Sequence, residues 1–247
     1  MSIVAADLVF FAAANEPSDD SSTAGGAIDL LRRLDFTQIA ANDDIEALSS
    51  AAGDTSQTLT ITGRDAAGVL VSEVKTLTGT TAVIFSVIGV IERVLKAELS
   101  ATCAGTITVR RSVAGATIRT IPIGERGFMA PFRQLASDPS SQKDYYVKGF
   151  WKNTHGSLTL TSAVVKENAD PSAVITHALA ASLDDTATTT NRVTTPGLTF
   201  SGADKNVPNS QNLSFGSAIG TWLNLTLAAG AAALKTTYTT ELAGQTT

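Results

Sequence analysis

The sequence predicts an all-β protein of antiparallel β-sandwich modules led by an extended N-terminal arm. Three observations carry this. Aliphatic residues alternate with threonine over several runs, the period-2 pattern of a strand with one buried face. Gly, Pro, Asn and Asp separate the runs at roughly 8–12-residue intervals, the spacing of short sandwich strands. Among 247 residues there are 34 Thr and 37 Ala against 9 Phe, 3 Tyr and 2 Trp. Branched Thr packs well on a pleated surface, and small Ala lets layers approach closely.

Residues 1–27 read as the arm. Its polar part, 12–27 (AAANEPSDDSSTAGGA), holds too little apolar surface to offset the entropy of ordering it, so docking on a neighbour is expected to fix it. Within it, residues 8–11 have the character of a short strand. Deleting residues 2–26 is then expected to leave a folded monomer that fails to assemble.

A first sandwich module spans 28–121. Residues 28–31 and 34–36 read as strand pieces. Residues 57–62 (QTLTIT) alternate Leu59 and Ile61 with Thr, and the Gly-bounded turn 63–68 leads into a second run, 69–77. Two such runs joined by a short loop predict a β-hairpin. Residues 82–99 are long enough for a helix, but their density of Val and Ile predicts two strands broken near Gly89. Residues 105–111 (GTITVRR) give another strand. Pro122, Gly124, Gly127, Pro131 and Pro139 make 122–142 an irregular connector, since Pro resists helix interiors and central strands.

The second module, 143–247, opens with strands at 143–153 and 156–165. Gly-[Ser/Thr]-[Leu/Ile]-Thr-[Leu/Val] occurs at both Gly105 and Gly156, compatible with two related modules or with strands obeying one rule. A Thr-rich loop (186–190) and a Gly/Asn/Pro-rich stretch (196–212) follow. The end reads as a closing antiparallel hairpin: Ile219, Thr221, Leu223, Leu225 and Leu227 alternate, Gly230 breaks, and Leu234, Thr236, Tyr238, Thr240 and Leu242 alternate.

Several function classes are disfavoured. One cysteine cannot make a disulfide framework, and Cys103, with no base nearby, reads as a small buried hydrophobe. His155 and His177 lack ligand spacing and read as structural, so no metal or cofactor is expected. Asp19-Asp20, Asp43-Asp44 and Asp184-Asp185 lack the Asp-x-Asp-x-Asp-Gly series of a calcium loop and read as turn or cap acids, with Asn42-Asp43-Asp44 the one weak ion-site alternative. No nucleophile elbow, phosphate loop or dinucleotide fingerprint occurs, so an enzyme is not expected. No run reaches the length of a membrane helix. The apolar opening carries Asp7 and lacks a basic leader, predicting a soluble protein made inside a cell. Scattered basic residues and a net charge of −5 disfavour nucleic acid.

The charge is uneven: residues 1–91 carry −8, 92–152 carry +5 and 153–247 carry −2. An acidic leading third meeting a neighbour's basic middle would join subunits head to tail in a ring. The candidate interface residues are Asp19, Asp20, Arg110, Arg111, Arg119, Arg126 and Arg133. Two ordinarily solvated faces is the plainer reading of the same charges.

Ala5-Ala6-Asp7-Leu8, residues 19–28 (DDSSTAGGAI), 62–68 (TGRDAAG), 77–81 (LTGTT) and 104–110 (AGTITVR) resemble a group of tailed-bacteriophage virion structural proteins over residues 1–110 and more loosely beyond. The resemblance implies a non-enzymatic virion component made in the host bacterial cytoplasm. It would be a collar or connector-associated protein at the head–tail neck, partnered by the portal or connector, or a decoration (cement) protein on the major capsid protein. Self-association in a ring or array is implied in either place. A carbohydrate-binding adhesion module is the other β-sandwich reading. It needs exposed aromatic rings, for which Trp151, Trp222 and three Tyr are the supply.

Overall fold

The computed structural model describes residues 2–133, 135–232 and 237–246. Among them are seventeen strands and one 3-10 turn, Ala5–Asp7. The chain divides into two units, residues 1–29 with 131–247 and residues 30–130. It starts in the first, lays down β1 (Leu8–Asn15) and β2 (Ala24–Leu34), and enters the second unit within β2.

The second unit adds β3 (Ile45–Ser49), β4 (Thr58–Asp65), β5 (Leu70–Thr76), β6 (Val83–Phe85), β7 (Ile91–Leu99), β8 (Ile107–Arg111), β9 (Thr117–Ile121) and β10 (Gly127–Met129). One sheet runs from the end of β2 through β10, β7 and β4 to β5; the other has the order β6-β3-β8-β9. Their facing residues share one core, including Ile45, Ala47 and Val109 from one sheet and Leu59, Ile61 and Ala97 from the other. This is a β-sandwich. The hairpin read at 57–77 is β4 paired antiparallel to β5. The break expected at Gly89 separates β6 from β7, with Gly89 at φ +59°.

Two local features escaped the sequence pattern. β10 lies inside the expected connector and pairs parallel to β2 and antiparallel to β7, so this sheet is mixed. Gly127 makes that possible, because a Cβ there would sit 2.1 Å from the Ala97 carbonyl oxygen. The expected strand pieces at 28–31 and 34–36 are one strand, β2, which starts at Ala24 and ends at Leu34.

The first unit continues with β11 (Lys143–Asn153), β12 (Leu160–Ala169), β13 (Ile175–Leu183), β14 (Thr188–Thr189), β15 (Lys205–Asn206), β16 (Ala218–Leu227) and β17 (Thr239–Thr246). Its larger sheet has the order β13-β16-β11-β1-β2, with β14 on β2; its smaller one is β15-β12-β17.

The expected arm is corrected here. β1 pairs with β11 from Leu8 opposite Asn153 to Ala12 opposite Gly149, and Val9 to Ala13 are buried. The short strand read at 8–11 runs on to Asn15, so Ala12 and Ala13, grouped with the polar stretch, are buried within it. Removing residues 2–26 would take an interior strand from the first unit and is therefore expected to unfold it, in place of the folded monomer that the arm reading implied.

The closing hairpin is corrected as well. β16 pairs with β11 and β13, not with β17, which pairs with β12. β16 is buried from Ala218 to Leu225, Thr221 included. Its Leu/Thr alternation looks half-exposed on paper, yet the strand lies mid-sheet with both faces covered. Leu234 and Thr236 of the expected partner run lie outside the described residues.

Candidate functional site

The charged residues expected at a subunit interface find partners within their own unit. In the second unit, the Arg110 Nε lies 2.6 Å from a Glu46 carboxylate oxygen, Arg111 2.8 Å from Asp43 and Arg119 2.8 Å from Asp35. Arg126 donates twice to the Leu99 carbonyl, at 3.0 and 2.9 Å. Arg32 with Glu98 and Arg33 with Glu125 add two more pairs. The leading acids and the middle bases thus neutralise one another inside one sandwich, which holds ten acidic and ten basic residues. The charge gradient along the sequence is a consequence of which strands pair.

In the first unit, Asp20 accepts from Arg192 at 2.9 and 2.6 Å and pairs with Lys143. Both cations lie over the Tyr145 ring, Arg192 at 5.1 Å and Lys143 at 5.3 Å. Desolvation opposes the charged Asp20, but the Lys143 and Arg192 bonds prevail and hold its pKa below the ordinary value. Arg133 donates to the Glu16 carbonyl at 3.1 Å. Asp19 is different: it is exposed, and its carboxylate accepts from the Ser21 hydroxyl at 2.6 Å and amide at 2.9 Å, which lowers its pKa to about 2.

Several buried polar groups in the first unit went unread. Lys148, in the apolar text of β11, is fully buried. Its ammonium donates to the carbonyls of Gly26 (3.2 Å), Asp185 (3.1 Å) and Ala187 (3.2 Å), pairs with the Asp185 carboxylate, and lies 4.8 Å from the Phe150 ring centre. Burial pushes its pKa down, and Asp185 pulls it back. A lysine flanked by Tyr146, Val147, Gly149 and Phe150 was the available signal, since lone charges rarely enter such a run unpaired.

His177 sits on β13, fully buried, and neither ring nitrogen has a hydrogen-bond partner of ordinary geometry among the described residues. Burial, then the Lys205 charge, lowers its pKa from 6.5. Below about pH 6.5 the unfolded chain therefore takes up this proton before the folded one, and the first unit loses stability as pH falls. Melting curves followed by Trp fluorescence are expected to show this slope, and His177→Leu is expected to flatten it. Cys103 is buried, and burial beside Asp54 raises its thiol pKa to about 11, making it a poor nucleophile.

The surface best suited to another polypeptide is at one edge of the second unit. β5 ends its sheet, and among the described residues it pairs with β4 alone. Beside it lies β6, the end strand of the other sheet. Leu70 (43%) and Val74 (57%) of β5 and Ile84 (43%) of β6 are exposed, as are Val69, Val87 and Val90 nearby in sequence. Glu73, facing inward from β5, ties the 87–88 loop in place by accepting from the Val87 amide at 2.8 Å and the Ile88 amide at 3.1 Å. An unprotected strand edge with aliphatic side chains is a template for strand pairing. The sequence signal was present at 69–74 (VLVSEV), where aliphatics occupy both parities, one set more than a single buried face needs.

The aromatic residues stand elsewhere. Trp151 and Trp222 are buried, as are Tyr145 and Tyr238, so these four rings offer no exposed stacking platform for a sugar. No family model, no curated protein and no solved structure matches the chain.

Proposed function

We propose that the protein is a non-enzymatic structural component of a tailed-phage virion, a collar or connector-associated protein at the head–tail neck that acts by assembling with other virion proteins. The observation that carries the assembly role is the open β5 edge with Leu70 and Val74 exposed beside Ile84. In a lone protein such an edge invites uncontrolled pairing, whereas in an assembly it is covered. The phage setting comes from the turn-and-strand resemblance at 19–28, 62–68 and 104–110. Burial of both tryptophans weighs against the carbohydrate-binding alternative.

The test is quantitative mass spectrometry of purified particles together with imaging of a labelled chain. The neck reading expects about a dozen copies at one vertex, a closed ring. Hundreds of copies over the shell would move the protein to capsid decoration, and absence from particles would overturn the virion role.

A further inference from the structure

We propose that β5 pairs antiparallel with β5 of a second copy of this chain about a two-fold axis at Ser72. The inference deepens the assembly role and rests on it for context only, because pairing is measurable on the purified protein.

Backbone parity supports it first. The Asp65 amide donates to the Val69 carbonyl at 3.0 Å, and the Leu77 amide donates to the Gln57 carbonyl at 2.9 Å. The β4–β5 register between these points is unbroken. Antiparallel ladders alternate strictly, so odd-numbered residues of β5 bond to β4. Leu70, Ser72, Val74 and Thr76 turn their N–H and C=O groups to the open edge, where no strand pairs among the described residues. A second strand bonding there must use these even positions.

Three isologous registers satisfy that parity with five or more residues of β5 paired, centred on Ser72, Glu73 or Val74. Centring on Val74 carries Leu70 past the end of the partner copy's β5 and leaves that exposed side chain without a partner on the strand. Centring on Glu73 places two carboxylates directly opposite, which is destabilising. Each is nearly buried and already committed to Lys75 and two amides. Centring on Ser72 sets Leu70 opposite Val74 of the partner copy on the exposed face, twice by symmetry, with the two Ser72 residues facing each other. On the inner face Val71 meets Glu73 and Val69 meets Lys75, so no like charges oppose. The strand is chemically palindromic about Ser72 on its exposed face, and this self-complementarity selects a second copy as the occupant.

The test uses the full chain. Wild-type protein in sedimentation equilibrium is expected to dimerise reversibly. Ser72→Cys is expected to form a covalent dimer on mild oxidation, since directly opposite residues of a bonded pair lie within disulfide reach. Thr76→Cys, off the axis, is expected not to, and buried Cys103 stays silent in both. Ser72→Pro removes an outward N–H, which an edge strand tolerates, together with the hydroxyl's bonds to the Ile61 carbonyl at 3.2 Å and the Thr62 hydroxyl at 3.1 Å, and is expected to raise the dimer dissociation constant about tenfold or more; Val74→Lys, which leaves those bonds in place, is the second variant should the first misfold. Monomeric wild type, a dimer indifferent to both edge variants, or equal cross-linking at 72 and 76 would each overturn the proposal. So would capture of a different protein at this edge in place of a second copy. A Ser72-linked dimer from a chain absent from particles would instead overturn the virion role and leave the pairing standing.

Discussion

Lys148→Met is expected to lower the stability of the first unit by about 3–5 kcal/mol, the cost of breaking a buried ion pair by removing one partner. Methionine nearly matches the lysine stem in volume, so the change isolates the ammonium. Its loss takes a donor from the Asp185 carboxylate and from the carbonyls of Gly26, Asp185 and Ala187; the Ala187 carbonyl keeps the Gly26 amide at 2.9 Å, while the Asp185 carboxylate keeps the Ala187 amide at 3.3 Å but loses its counter-charge. Those acceptors come from β2 and the 185–187 segment, so the ammonium ties both to β11. Urea unfolding followed by Trp fluorescence reads the first unit alone, since Trp151 and Trp222 both belong to it. A loss below about 1 kcal/mol would mean that water or rearranged backbone takes over those bonds.

The fold class was legible because it depends on periodicity. QTLTIT buries Leu59 and Ile61 completely, as the alternation requires, and Gly89 interrupts a Val/Ile run that would otherwise be ambiguous. Partner choice was not legible. Nothing in the alternation of 219–227 distinguishes pairing with β17 from pairing with β11, because register and neighbours are set by long-range packing. The same limit explains the arm. Residues 16–23 are as polar as they look, but the strand before them found a partner more than 130 residues later.

The interface residues illustrate a different limit. Composition located the charges at Asp20, Arg110, Arg111 and Arg119 but could not tell a contact between chains from one within a chain. In the second unit Glu46 of β3, Asp43 just before it and Asp35 just after β2 stand beside arginines of β8 and β9, so the opposite charges meet internally. What remains at the surface for another polypeptide is apolar, and it was readable only as excess aliphatic content in β5.

Asp54→Ala is expected to cost the second unit about 2–4 kcal/mol, since each buried donor left unsatisfied costs about 1–3 kcal/mol and partial relaxation offsets some of it. Asp54 is nearly fully buried, and its carboxylate accepts from the Ser49 hydroxyl at 2.6 Å, the Ala104 amide at 2.9 Å and the Gly105 amide at 3.0 Å. These bonds join the end of β3 to the turn before β8, two strands that pair along their length. Gly105 packs so closely there that a Cβ would lie 2.5 Å from the Ala51 nitrogen, so no side chain can replace the lost anchor. Hydrogen exchange at the Ala104 and Gly105 amides is expected to accelerate in the variant. The Ser49 bond leads the effects that depress the Asp54 pKa below 3.8. The folded state therefore holds this proton less tightly than the unfolded chain, and the stabilisation is complete above about pH 4 and lost as pH falls through the depressed value. In Asp54→Ala that part of the acid sensitivity should vanish. An unchanged acid slope, with amide exchange unchanged as well, would show that the turn is held by its backbone alone.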